Sequence, residues 1–229
     1  MKRTTKIIII IILLIIFAGL FYFTNNGNNT SSSEVLANTS IGTVEKVTYG
    51  NDNAPITLAL ITGIHPREPL SMDPEIKAAK EYANNNVKIV NYKVTVTDRP
   101  QEYEAGRANG ESLVHDYVNP DVTKSDADAV IIAHSHIPSY GEGFYLATPA
   151  MDNKSVEMAE NINKTSDFNY YPVTGDETYK STSAVLVSKP IAEAGYPTFV
   201  YEIPENITSQ DSTLKAQELF QLLVDEIKT

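Results

Sequence analysis

Hydrophobic and polar positions fall into blocks of different length and period. Residues 7–23 are apolar without interruption, with Lys2, Arg3 and Lys6 before them and no acid among those flanking residues. Beyond that the apolar blocks are shorter. Residues 44–49 and 56–63 are strand-length runs on either side of Gly50-Asn51-Asp52-Asn53, which predicts a hairpin. Asp73 and Pro74 suit a helix N-cap and first helical position, and Ile76, Ala79 and Ala83 continue a helical face. Residues 87–96 alternate as a strand does, 130–134 read as a buried central strand, and 144–147 as another. A helix is predicted over 155–162. A second covers 183–194, disturbed by Pro190 and stopped by Gly195, immediately before a third apolar run at 197–201. Ala216, Leu219, Phe220, Leu223 and Ile227 form the apolar stripe of a closing helix. Strands alternating with helices imply an α/β sandwich, a mixed and largely parallel sheet flanked by helices, in one domain over residues 40–229.

As a helix, residues 7–23 would be roughly 25 Å long, against a hydrocarbon core of about 30 Å. The run reads as a signal peptide or an uncleaved anchor. Its length, and the lack of an Ala-x-Ala site after Phe23, favour an N-terminal transmembrane helix over residues 1–24. The basic flank then stays inside and the remainder lies outside the membrane. Residues 25–39, rich in Asn, Ser, Gly and Thr, read as a flexible linker. The net charge of −11 argues against nucleic-acid partners, which need basic patches. The chain has no cysteine, so thiolate metal ligands and a cysteine nucleophile are excluded. A secreted domain of this size can bury a full core without disulfides.

The candidate chemistry sits where apolar runs end. His65-Pro66-Arg67-Glu68 follows the run at 56–64, His134-Ser135-His136 ends the run at 129–133, and Glu202 ends the run at 197–201. In open α/β sheets, sites form at the carboxyl ends of the strands. Two imidazoles and one carboxylate are a known catalytic zinc shell whose fourth position takes water, and a further glutamate can accept that water's proton. Taken singly, His65 would read as a loop histidine and Glu68 as a solvated acid.

In the order and strand context of these motifs, over roughly residues 44–206, the chain resembles the zinc carboxypeptidase superfamily, including its succinylglutamate desuccinylase/aspartoacylase branch. The resemblance implies one zinc per domain, held by His65, Glu68 and His134. It implies Glu202 as general base and Arg107 as the cation that steadies the carbonyl oxygen. Asn109 and Tyr179 are candidates for substrate contact, and His136 either faces substrate or stands behind the ligands; Tyr171 is a further guess for the active-site tyrosine. Glu205 competes with Glu202 but reads as a surface acid after Pro204. One departure stands out. The adjacent Asn-Arg pair that grips a terminal carboxylate in that superfamily is missing, because Asn109 is followed by Gly110. This predicts little dependence on a free α-carboxylate.

The expectation is a membrane-anchored, extracytoplasmic zinc metallohydrolase that cleaves amide bonds of peptides or cell-wall peptides. Its rivals are an N-acyl amino acid deacylase of the desuccinylase type and a non-catalytic binding module on the same fold. Oligomeric state is not readable.

Overall fold

The structure is a computed structural model and describes residues 32–172 and 181–229. Eight strands form one sheet: β1 (Ser32–Asn38), β2 (Gly42–Tyr49), β3 (Ile56–Thr62), β4 (Val87–Val96), β5 (Ala129–His136), β6 (Tyr145–Ala147), β7 (Asn169–Tyr170) and β8 (Thr198–Pro204). Their order is β1-β2-β4-β3-β5-β8-β6-β7. The four central strands β4, β3, β5 and β8 run parallel, while β1, β2 and β6 join antiparallel. The mixed, largely parallel sheet is as the sequence predicts.

Every residue of β3 and of β5 is buried, as strands covered on both faces require. That burial also explains why the expected hairpin does not form. A strand buried on both faces and both edges needs inner neighbours, and β4 supplies one of them. It inserts between β2 and β3, pairing antiparallel with the first and parallel with the second. Gly50 (φ +93°) carries the chain past the start of β4. A Cβ there would meet the Val87 carbonyl oxygen at 2.7 Å.

Side-chain alternation divides the core into two layers. Leu58, Leu60, Ile131, Ala133, Phe199 and Tyr201 face helices α1 (Asp73–Tyr82), α4 (Asn153–Thr165) and α6 (Ser209–Ile227). Ala59, Ile61, Val130 and Ile132 face the other layer, with Leu113, Val114, Val118, Val187 and Ile191. That second layer is built from α2 (Tyr103–Leu113), a π-helical segment Val114–Val118 and α3 (Asn119–Val122), together with a second π-helical segment Ala184–Ser188 leading into α5 (Lys189–Glu193).

Both π segments end one residue before an X-Pro step, Asn119-Pro120 and Lys189-Pro190. Proline crowds the carbonyl four residues back and brings no N–H, so the helix widens there. The Leu186 carbonyl stands four residues before Pro190, which has no N–H to donate to it. It accepts from Asn119 Nδ2 at 2.9 Å and lies 3.2 Å from His115 Nδ1, both on the other π-interrupted helix. The disturbance expected at Pro190 thus becomes a joint between two helices.

Three sequence expectations need correction besides the hairpin. Residues 32–38 of the stretch read as a linker are strand β1, paired along β2. Only Ala37 of β1 is buried, so the strand has no apolar alternation to betray it. Helix α1 begins at Asp73 itself, with Met72 at the N-cap. Helix α2 was not foreseen, because glycines at 106 and 110 and few apolar residues hide its period. The run at 7–23 lies outside the described residues. Among those described, no helix is long and apolar enough to cross a membrane.

Candidate metal centre

Strand parity decides which layer receives the chemistry. His134, in step with Val130 and Ile132, and Glu202, in step with Val200, point to the α2 side. His134 and Glu202 are direct neighbours across the β5–β8 ladder, and Tyr145 of β6 is Glu202's neighbour on the other side. His65 arrives from the loop that follows β3. A tight turn, with the Glu68 N–H donating to the His65 carbonyl at 3.0 Å, swings Glu68 back beneath it.

Helix α2 presses onto this loop at Gly110. A Cβ at that position would lie 1.7 Å from the Ile64 carbonyl oxygen, so only glycine allows the approach. Successive turns of the same helix face present Tyr103, Arg107 and Glu111.

The three expected ligands come together. Glu68 Oε1 is 2.7 Å from His65 Nδ1, and Glu68 Oε2 is 2.9 Å from His134 Nδ1. The two imidazole centroids are 4.5 Å apart. One donor atom from each of the three residues lies within 4.8 Å of the others. The Ser135 N–H also donates to Glu68 Oε2 at 3.2 Å. Burial alone would raise the Glu68 carboxyl, but the His134 and His65 contacts outweigh it and hold the group well below the usual carboxylate range. Burial disfavours the His65 cation, yet hydrogen bonds to Glu111 and Glu68 raise its pKa overall.

The donor set fits a divalent cation. Two imidazole nitrogens and one carboxylate turned toward one point are the N/O set that zinc prefers. A cation among them would replace the protons that mediate these contacts. His65 meets a further requirement, since its Nε2 lies 3.2 Å from Glu111 Oε1. A buried carboxylate there fixes the imidazole tautomer and leaves Nδ1 free to ligate. Glu111 was missed in the sequence. Its signal was the four-residue spacing from Arg107, readable only once the segment is known to be helical.

Arg107 Nη1 lies 3.0 Å from His65 Nδ1 and 3.6 Å from Glu68 Oε1, and its Nη2 is 3.6 Å from Glu111 Oε1. Glu202 stands beside His134 without an ion-pair partner among the described residues. Burial is the main cause that pushes its carboxyl up to about 7. The nearby charge of Glu68 adds to this, while His134 and Arg107 oppose it.

The remaining candidates divide. His136 is buried and lines the cleft, but its Nδ1 and Nε2 lie 3.1 Å and 2.9 Å from the carbonyls of Ile137 and Gly143. These contacts tie the ring to the loop between those residues while leaving it in the cleft lining. Asn109 is engaged elsewhere in this structure and is not in the cleft lining. It sits two residues from Arg107, on another side of the helix, and donates to the Asp98 carbonyl and carboxylate at 2.9 and 3.2 Å. Tyr179 lies outside the described residues. Tyr171 lines the cleft with its ring centroid 4.8 Å from that of Tyr145. Glu205 is exposed but also on the cleft wall, accepting from Ser135 Oγ at 3.3 Å. The cleft has a volume of about 810 Å³ and contains the His65–Glu68–His134 cluster, Arg107 and Glu202 in its walls.

No known family profile matches the chain, and no curated protein sequence matches it. Solved structures do. A metallo-carboxypeptidase from Burkholderia cenocepacia superposes with a TM-score of 0.60 at 14% identity, over 92% of this chain and 68% of its own. A Burkholderia mallei protein assigned by name to the carboxypeptidases gives 0.61 at 12%, over 92% and 67%. A Pseudomonas aeruginosa metallo-carboxypeptidase in complex with (2-guanidinoethylmercapto)succinic acid gives 0.52 at 14%, over 85% and 65%. The chain therefore spans about two thirds of the length of these proteins and shares their fold.

Proposed function

We propose that the chain is a zinc-dependent hydrolase of amide bonds, acting on peptides or cell-wall peptides outside the cytoplasm and held at the membrane through residues 7–23. The observation that carries the hydrolase reading is the placement of Glu202 beside His134. A nearly partnerless carboxylate stands next to a cluster of donors suited to a divalent cation, in an open cleft. Similarity of fold to metallo-carboxypeptidases supports the reading. The apolar run and its basic flank support the location.

His65, Glu68 and His134 would hold the metal. When bound, it would supply Lewis acidity that polarises a carbonyl and makes water acidic near neutrality. The chain's own groups do the rest. Glu202, with a carboxyl poised near neutrality by burial, takes a proton from the attacking water and returns it to the departing nitrogen. Arg107, anchored by Glu68 and Glu111, keeps a fixed positive charge beside the cleft for the developing carbonyl oxyanion. Glu111 holds His65 in one orientation, so that the donors need not rearrange. A cleft of this size accepts several peptide residues, which favours peptides over a small N-acylated acid.

The test is hydrolysis of a panel of peptides and wall peptides by the purified full-length chain, before and after chelation. Chelation should abolish cleavage and stoichiometric zinc should restore it. Cleavage that survives complete metal removal would overturn the reading.

A further inference from the structure

Two helical stretches reach the cleft, and they differ in what they carry. Helix α2 brings Arg107 to the cleft and Glu111 to His65. The second stretch brings Ser183, Ala184 and Ser188, from the π-helical segment Ala184–Ser188 and the residue before it. Leu113, Val114 and Val118 of the first stretch share one buried cluster with Val187 and Ile191 of the second. Apolar burial holds two helices together, but it is non-directional and does not by itself fix how one is shifted along the other.

Hydrogen bonds supply that direction. The Thr182 hydroxyl bonds to the Glu111 carboxylate. Further along the first stretch, Asn119 Nδ2 donates to the Leu186 carbonyl at 2.9 Å and to the Val187 carbonyl at 3.4 Å. Both partners are carbonyl oxygens, so the amide must turn its NH2 toward them. Asn119 is buried, and its Oδ1 has no donor among the described residues. A buried oxygen left unpaired is unfavourable, so an apolar side chain would suit this layer better. What asparagine adds there is the grip on two backbone carbonyls of the other helix.

The helices are irregular at the same level. Asn119 and Lys189 each precede a proline, where helices usually end, yet both keep helical angles (φ −54°, ψ −46° and φ −61°, ψ −47°). Pro190 has no N–H for the Leu186 carbonyl, and Asn119 supplies a donor from the other helix. The first and last residues of the second π segment, Ala184 and Ser188, are the ones that line the cleft. A shift of that segment is therefore a shift of the cleft wall.

We infer that Asn119 is a positioning residue. Through the Leu186 and Val187 carbonyls it sets the Ala184–Ser188 wall of the cleft relative to the helix that carries Arg107 and Glu111. Asn119 acts through the wall, so it governs how an extended substrate lies and leaves the donors His65, Glu68 and His134 as they are. The inference rests on the hydrolase reading for its kinetic effect only, because the placement of the wall is measured without turnover.

Asn119→Leu is the test variant, since leucine is close in shape and removes both the donor and the unpaired oxygen. The chain has no cysteine, so spin labels go only where Glu104→Cys and Val185→Cys put them. Both positions are exposed and outside the cleft lining. The distance distribution between the labels should be narrow with Asn119 in place and should broaden or shift with Asn119→Leu. In the unlabelled full-length chain, Asn119→Leu should raise KM for an extended peptide by about tenfold, with kcat, zinc content and turnover of a short N-acylated substrate near wild type. Asn119→Asp keeps the shape and replaces the donor by an acceptor, so it should repeat this pattern, and it serves if the leucine variant does not fold. An unchanged distance distribution would overturn the inference, as would an unchanged KM for the extended peptide. Zinc content, kcat and both substrates falling together would also overturn it, since that is the mark of a general structural loss. A broadened distribution in a chain that cleaves no peptide would keep Asn119 as the residue that sets the wall and remove the hydrolase reading.

Discussion

Gly110→Ala should destabilise the protein and loosen its metal site, against the helix propensity of the substituted residue. In an ordinary helix interior, alanine is favoured over glycine by about 1 kcal/mol. Here the new Cβ would stand 1.7 Å from the Ile64 carbonyl oxygen and 2.8 Å from its carbonyl carbon. Separations below 3.0 Å must relax, so α2 or the loop after β3 has to retreat by more than about 1 Å along that contact. The loop cannot yield freely, because Ile64 and His65 are buried. Overpacking of this kind costs about 1–3 kcal/mol, enough to cancel or exceed the propensity gain. A retreat of that size also stretches the 3.2 Å contact between Glu111 and His65 beyond hydrogen-bond length. Loss of such a supporting carboxylate lowers metal affinity by about 10–100-fold. Urea denaturation of the metal-free protein and a zinc competition titration would read the two effects separately. A variant more stable by about 1 kcal/mol, with zinc affinity unchanged, would refute the claim that this glycine lets α2 seat against the His65 loop.

Glu202→Gln should retain zinc and lose turnover by about 10²–10⁴-fold, because the proton acceptor goes and the donor set stays; near-normal kcat alongside normal zinc content would remove Glu202 from the reaction. Glu111→Gln should weaken zinc binding by about tenfold or more, read by competition with a chromogenic chelator, and unchanged affinity would show that His65 needs no carboxylate behind it. Glu75 concerns stability alone. It is fully buried, with Ser212 Oγ donating to Oε1 at 3.1 Å and no partner for Oε2 among the described residues. Burial pushes its carboxyl from 4.5 up to about 8, opposed by the Ser212 hydrogen bond. A raised folded-state pKa means that this group's stabilising contribution is complete below about pH 4.5 and is lost as pH rises through about 8. Glu75→Gln should therefore gain on wild type steadily across that window, by up to a few kcal/mol at its alkaline end; a stability difference flat from pH 5 to 9 would contradict this assignment.

How legible the protein was in its sequence depended on what each residue is pressed against. Strands β3, β5 and β8 were readable because a strand covered on both faces is apolar along most of its length, and the site residues were readable because they interrupt or follow those apolar runs. The edge strand β1 was not, since its Val35-Leu36-Ala37 run neither alternates nor is long, and only Ala37 of it is buried. The false hairpin shows a different limit. Runs at 44–49 and 56–63 were both strands, but local turn chemistry cannot report that a later strand will insert between them. Helix α2 was hidden by the glycines that let it approach Ile64 and Pro66, so the contact that builds the site erased its own signal. With α2 unseen, Glu111 could not be counted and Asn109 could not be turned away from the cleft. The two carbonyl contacts of His136 belong to a loop whose path the sequence does not specify.

The central claim is that His65, Glu68 and His134 make a zinc site, and metal stoichiometry tests it most directly. The full-length chain should be purified with and without the double substitution His65→Ala/Glu68→Ala, equilibrated with zinc, separated from free metal and analysed for zinc per chain. Circular dichroism of each would verify the fold. The account predicts one tightly held zinc in the wild type and none in the folded double variant. An equal zinc content in the two, or a folded wild type that binds no zinc, would contradict it.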